Sequence, residues 1–143
     1  MKHKLSCILL IDDDEPTNFL NQMTLEQADC AEYVQVVQSG QDALDFLMHK
    51  GKYANAPDYP HPDLIFLDIN MPAMDGWEFL DKYRRLPSAQ KASIVMIMLT
   101  TSLNPDDEEK ARAIPEINGF ENKPLRTDRL KDVLKTFFPS LYS

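Results

Sequence analysis

The chain has 143 residues, 43 % of them apolar and 27 % charged, with a formal net charge of −8. Those values suit one domain large enough to bury a core, and they argue against a general binder of nucleic-acid backbones, which needs a basic surface. Two cysteines do not make a disulfide framework, and no run approaches the roughly 20 apolar residues of a membrane helix.

In chain order, LSCILLI (5–11) is a continuous apolar run, as expected of a strand covered on both faces. The preceding MKHK gives it a superficial likeness to a signal peptide. However, the run is short and ends in three aspartates rather than a small-residue cleavage site, so a cytoplasmic protein is expected. EPTNFLNQMTLEQAD reads as a helix, with Pro16 suited to its first turn and Phe19, Leu20, Met23 and Gln27 or Ala28 at helical spacing. YVQVV (33–37) alternates like a strand. SGQDALDFLMHKG follows as a helix stopping at Gly51, and KYANAPDYPHP as a proline-rich surface loop.

DLIFLD (63–68) is the third strand and ends on Asp68. A helix is expected over Gly76 to Leu86, with Trp77, Phe79, Leu80 and Tyr83 mostly inward, and SIVMIMLTT (93–101) is a buried strand. NPDDEEKARA begins a helix with Asn104 as cap, Pro105 at the first position and acids in the first turn; Pro115 ends it early. INGFENKP carries a short fifth strand, and RTDRLKDVLKTFF an amphipathic helix. Five alternations of strand and helix predict an α/β fold of one domain spanning 1–143, a parallel sheet with helices on both faces. With only PSLYS after Phe138, no output domain is expected in these 143 residues, since a DNA-reading module takes about 60 residues more.

In such sheets ligands bind beyond the carboxyl ends of the strands. Those ends carry Asp12, Asp13 and Asp14 on the first strand, Asp68 on the third, Thr100 and Thr101 on the fourth, and Lys123 before Pro124 on the fifth. Taken singly, each has a plain structural reading: an aspartate after a strand is a turn former, and a lysine before proline is solvated. The set at consecutive strand ends is what points to chemistry. Carboxylates at close quarters repel one another, and a hard divalent cation such as Mg2+ (or Mn2+) relieves this. Asp68 is then placed for in-line attack on phosphorus, with Lys123 supplying positive charge and Thr100 a hydroxyl.

These segments, CILLIDDDE, LIFLDINMPAMDGWEFL, IVMIMLTTS and GFENKPL, occur in an order that strongly resembles the receiver domain of bacterial two-component response regulators. The resemblance implies a flavodoxin-like fold of five strands in the order 2-1-3-4-5. It implies Mg2+-dependent phosphotransfer from a histidine kinase or hybrid sensor onto Asp68. It also implies metal binding by Asp12, Asp13, Asp68 and the backbone carbonyl of Asn70, and a switch made of Thr100 and Phe120. Asn70 and Ser102 correspond to positions that tune hydrolysis, Lys123 to the phosphate-contacting lysine, and the Lys123–Pro124 bond to a cis peptide. Asp14 falls outside the acidic pair and suits a helix cap. A protein partner is implied for the surface formed by the fourth helix, fifth strand and fifth helix, with a monomer or weak dimer and neither DNA nor membrane as partner. The long loop at 51–62 resembles that of stand-alone receivers found beside bacterial phytochromes.

Three other readings compete. An aspartyl-phosphate phosphatase of the haloacid dehalogenase class carries its nucleophile on the first strand, whereas here the candidate lies on the third. A flavin carrier of this fold has Ser, Thr and Gly after its first strand to cradle phosphate, where this chain has DDDEP. A binding module indifferent to phosphate has no use for the complete residue set. Cys7 and Cys30 read as small core thiols, and His3, His49 and His61 as exposed residues without metal-ligand spacing. Tyr53, Tyr59 and the closing FFPSLYS suggest an exposed apolar patch suited to self-association.

Overall fold

The computed structural model describes residues 3–91, 94–101 and 104–142. Strands β1 (Leu5–Ile11), β2 (Ala31–Val37), β3 (Leu64–Asp68), β4 (Val95–Thr100) and β5 (Gly119–Asn122) alternate with helices α1 (Glu15–Ala28), α2 (Gly40–Met48), α3 (Gly76–Arg84), α4 (Pro105–Arg112) and α5 (Thr127–Phe137). A sixth, one-turn helix at Ser88–Lys91 and two 3-10 turns, Gly51–Tyr53 and Pro139–Tyr142, were not expected. All strand pairs are parallel, in the order β2-β1-β3-β4-β5. No described helix is long and apolar enough to cross a membrane.

The continuous apolar runs of β1, β3 and β4 have the burial their sequence predicts, because each is covered on both faces. Cys7, Leu9, Ile11, Ile65, Leu67, Met96 and Met98 meet α2, α3 and Ala111 of α4 on one face. Ile8, Leu10, Leu64, Phe66, Ile97 and Leu99 meet Leu25 of α1 and Leu130, Val133 and Leu134 of α5 on the other. Both cysteines are free and buried, and burial pushes the Cys7 thiol up to about 12.

Several expectations are corrected. Phe19, Leu20 and Met23 do not face the core: they are 64, 48 and 39 % exposed, while Asn18, Asn21 and Leu25 are buried. At 100° per residue those two sets lie on opposite sides of the helix, and the inward side overlies polar strand ends that need hydrogen-bonding groups. α2 ends at Met48, with His49 rather than Gly51 in the left-handed capping position (φ 56°). His49 is half-buried, stacked on Tyr59 at 4.1 Å between ring centroids. Tyr59 also stacks on Phe46 at 4.2 Å and donates its hydroxyl to the Phe46 carbonyl, and Tyr53 meets Phe46 edge-on. These tyrosines therefore seal the α2 side of the core rather than forming an exposed patch. Likewise the tail folds back, burying Leu141 beside α5 and leaving Tyr142 37 % exposed.

Candidate functional site

The strand register gathers the polar residues at one edge of the sheet. Ile11 pairs with both Val37 and Leu67, so Asp12 leaves β1 level with the end of β3, where Asp68 pairs with Leu99. Asp14 turns the chain into α1, its carboxylate accepting from the Thr17 N–H and hydroxyl as the helix cap. Asp12 is thus freed for the site, its backbone held by hydrogen bonds with Val37 and Asn18. On the other side of Asp68, α3 begins with its first residue, Gly76, against the strand end. A Cβ there would lie 2.7 Å from the Asp68 carbonyl oxygen and 2.8 Å from Ile69 Cα. The Gly76 N–H donates to the Ile69 carbonyl at 2.7 Å.

Asp12 and Asp68 are buried, and Asp13 is exposed. Their ligand oxygens lie within 4.8 Å of one another. Lys123, only 10 % exposed in its side chain, reaches in from the end of β5 to Asp12 Oδ2 at 2.9 Å and Asp68 Oδ1 at 3.1 Å. The Asn70 N–H also donates to Asp68 Oδ1, at 3.3 Å. Asp68 Oδ2 is buried and has no hydrogen-bond partner among the described residues. Burial, followed by the neighbouring Asp12 charge, raises the Asp68 carboxyl to about 6 against the opposing pull of Lys123. At Lys123 burial works to lower the basicity, but the hydrogen bond and charge of Asp12 and the charge of Asp68 outweigh it, leaving the ammonium above its ordinary range.

This donor set fits a divalent cation. Three carboxylates against one ammonium leave a formal excess of two negative charges, all the donors are oxygens, and one of them is a buried acceptor with nothing to accept. Asp68, buried at the end of β3, is held on one oxygen by Lys123 and the Asn70 N–H, while its other oxygen has no partner among the described residues.

The other singled-out residues fall close by or at a remove. Thr100 is fully buried at the end of β4 and pairs with Asn122, and its carbonyl accepts the Lys123 N–H at 3.1 Å. Thr101 is exposed. Phe120, paired with Met98 on β5, is half-buried beside a cavity of about 200 Å3 between α4 and β5. Asn70 is exposed on the loop after β3. The Lys123–Pro124 bond is cis, as the resemblance implied. Ser102 lies outside the described residues. His3 and His61 are exposed.

Sequence reasoning missed Gly76 as a close-approach position and missed the buried polar face of α1. The signal for the first was a glycine directly after the helix-capping Asp75. For the second it was the spacing of three between Asn18 and Asn21, just after the acidic triplet. Both asparagines line, with Asp12 and Asp68, a void too narrow to admit a water.

Residues 8–135 match the sequence model of the response regulator receiver domain. Among curated proteins, the response regulator Rcp1 of Synechocystis sp. is 35 % identical over 128 residues, which cover 90 % of this chain and 81 % of that protein. A two-component response regulator from Cytophaga hutchinsonii superposes with a TM-score of 0.81 at 32 % identity, covering 96 % of this chain and 99 % of the other. The phosphorylated cyanobacterial phytochrome response regulator RcpA gives a TM-score of 0.75 at 28 % identity, with 95 and 96 % covered.

Proposed function

The chain belongs to the response regulator receiver domain family, and on that premise we propose that it takes a phosphoryl group from the phosphohistidine of a histidine kinase or hybrid sensor onto Asp68. The observation that carries this reading is the buried Asp68 carboxylate, anchored through one oxygen by Lys123 while the other, Oδ2, has no partner. An unbonded oxygen at a strand end is free to form a bond to phosphorus. The new O–P bond forms as the donor's N–P bond breaks, and the electron pair of that bond stays on the imidazole, which takes a proton from solvent.

Asp12, Asp13 and Asp68 are the residues to hold a divalent cation, with Asn70 adding its carbonyl; bound there, the ion neutralises carboxylate and phosphoryl oxygens that otherwise repel. Lys123 offers its ammonium to a phosphoryl oxygen once Asp68 gives up its share. Thr100 provides its hydroxyl from the end of the adjacent strand. The exposed Phe19, Leu20 and Met23 of α1, which starts directly beyond Asp14, offer the donor an apolar landing surface beside the site.

The readout is binding. Engagement of Thr100 draws Phe120 toward the core, and the α4–β5–α5 face changes shape. The cavity beside Phe120 supports this reading, because it leaves room between α4 and β5 for rearrangement. Arg129 of α5 grips Glu121 at 2.9 and 2.6 Å, so movement of β5 is transmitted to that helix. The protein acts in the cytoplasm as a relay whose only chemistry is on itself.

Intact-mass measurement after incubation with acetyl phosphate tests the proposal. One added phosphoryl group is expected in wild type with Mg2+, and none with EDTA or in Asp68→Asn. A folded wild-type protein that takes up nothing, or an Asp68→Asn variant labelled as well as wild type, overturns it.

A further inference from the structure

The inner face of α1 holds the backbone on both sides of the central ion pair. Asn18 Nδ2 donates to the Asp12 carbonyl at 2.8 Å. One turn along, Asn21 Oδ1 accepts the Leu125 N–H at 2.7 Å, and the Thr24 hydroxyl donates to the Leu125 carbonyl at 3.1 Å. Leu125 stands two residues past Lys123, whose own N–H is tied to the Thr100 carbonyl at 3.1 Å. The segment Lys123–Leu125 is therefore pinned from the sheet on one side and from α1 on the other.

A lysine side chain is long and flexible, and placing its ammonium between two carboxylates depends on where its backbone starts. The Leu125 peptide is buried, so its N–H and carbonyl need partners in the protein. They receive both from side chains on a single distant helix. Neither Asn21 nor Thr24 makes a hydrogen bond to Asp12, Asp13 or Asp68.

We propose that Asn21 and Thr24 are positioning residues for Lys123: by clamping the Leu125 peptide they set the reach of its ammonium into the site. This rests on the reading of Asp68 as phosphoryl acceptor for its kinetic consequence, though not for its geometric one. The consequence is that the clamp governs the rate of phosphoryl acceptance through the place of the Lys123 ammonium. A purely structural role for Asn21, or a direct effect on Asp68 through the shared void, does not act through Lys123. A double-mutant cycle separates them.

The test uses the full chain. In Asn21→Leu, labelling by acetyl phosphate is expected to slow by about tenfold, because the lysine is misplaced rather than absent. In a Lys123→Met background the same substitution is expected to add no further slowing. Independently of phosphorylation, NMR of the metal-free protein should show an exchange-protected Lys123 ammonium signal in wild type that broadens in Asn21→Leu. Should Asn21→Leu fail to fold, Thr24→Val removes the carbonyl half of the clamp, together with the same hydroxyl's contact to the Leu20 carbonyl of its own helix, and is expected to give the same pattern more weakly. Equal slowing with and without Lys123, or an unaltered ammonium signal in a folded clamp variant, overturns the proposal. If wild type takes no phosphoryl group at all, the functional reading falls and the ammonium signal alone decides the clamp.

Discussion

Replacing Asp68 by asparagine should stabilise the metal-free protein at neutral pH. The carboxyl is 2 % exposed, one of its oxygens has no partner, and burial together with the Asp12 charge raises it from 3.8 to about 6. A group that binds its proton more tightly in the folded than the unfolded state favours folding at low pH and loses that contribution as pH rises through the folded value. The ionised carboxylate therefore weakens the fold above about pH 6, and the two-unit shift corresponds to about 3 kcal/mol at 1.36 kcal/mol per unit. Asparagine has the same shape and no charge, and Lys123 keeps Asp12 as its partner at 2.9 Å. Urea unfolding followed by Trp77 fluorescence in EDTA should move to a higher midpoint by roughly 1.5 M at pH 7.5, for an m-value of about 2 kcal/mol per M. The gap between variant and wild type should shrink as pH falls from 6 towards 4. With Mg2+ present the order should narrow or reverse, because only wild type has its full ligand set and ligand binding stabilises the native state. A variant less stable than wild type in EDTA, or a gap indifferent to pH, refutes the electrostatic reasoning.

Other substitutions report on the scaffold. Gly76→Ala forces a methyl to 2.7 Å from the Asp68 carbonyl oxygen; a loss of about 1–3 kcal/mol and slower labelling are expected, by urea titration and intact mass. Tyr59→Phe removes the hydroxyl that donates to the Phe46 carbonyl but keeps the ring stack. It should cost about 1 kcal/mol in thermal unfolding and leave labelling unchanged. Leu141→Ala should lower stability by about 2–3 kcal/mol, since the side chain is 5 % exposed and packs in the α1–α5 core. Sedimentation of that variant should show no change in oligomeric state; dissociation of a dimer instead would revive the tail as a self-association surface.

Much of the fold was legible because the strongest signals are local. Three strands covered on both faces read as unbroken apolar runs, and Asp14 and Asn104 each announced a helix start that the backbone then realises. The convergence of Asp12, Asp68 and Lys123 was legible for a topological reason: parallel strands point the same way, so their carboxyl ends gather. Where the reading failed, the deciding partner was distant. Tyr59 looked like surface until Phe46 and His49 supplied rings to stack on. The tail looked free until α5 offered Leu141 a place. Neither contact leaves a trace in the segment that makes it.

The reversed face of α1 carries the most weight of these failures. Helical spacing identifies a stripe of Phe19, Leu20 and Met23, but periodicity gives a face without a direction, and the usual rule sends the apolar stripe inward. Here the ground beneath α1 is not apolar over its first three turns. It consists of the Asp12 carbonyl and the Leu125 peptide, whose hydrogen-bonding groups are buried and must be satisfied. Only at Leu25 does the helix reach the hydrocarbon core. Leaving a buried donor or acceptor unpaired costs about 1–3 kcal/mol apiece, comparable to what burying one Leu or Phe contributes. Three such bonds from Asn18, Asn21 and Thr24 outweigh the incomplete burial that Phe19, Leu20 and Met23 could obtain on a polar floor. The requirement that orients the helix inward thus leaves its apolar stripe outside, next to the acidic site. The same asparagines that account for the local misreading leave a hydrophobic surface beside the acidic site, where the proposed phosphoryl donor would land.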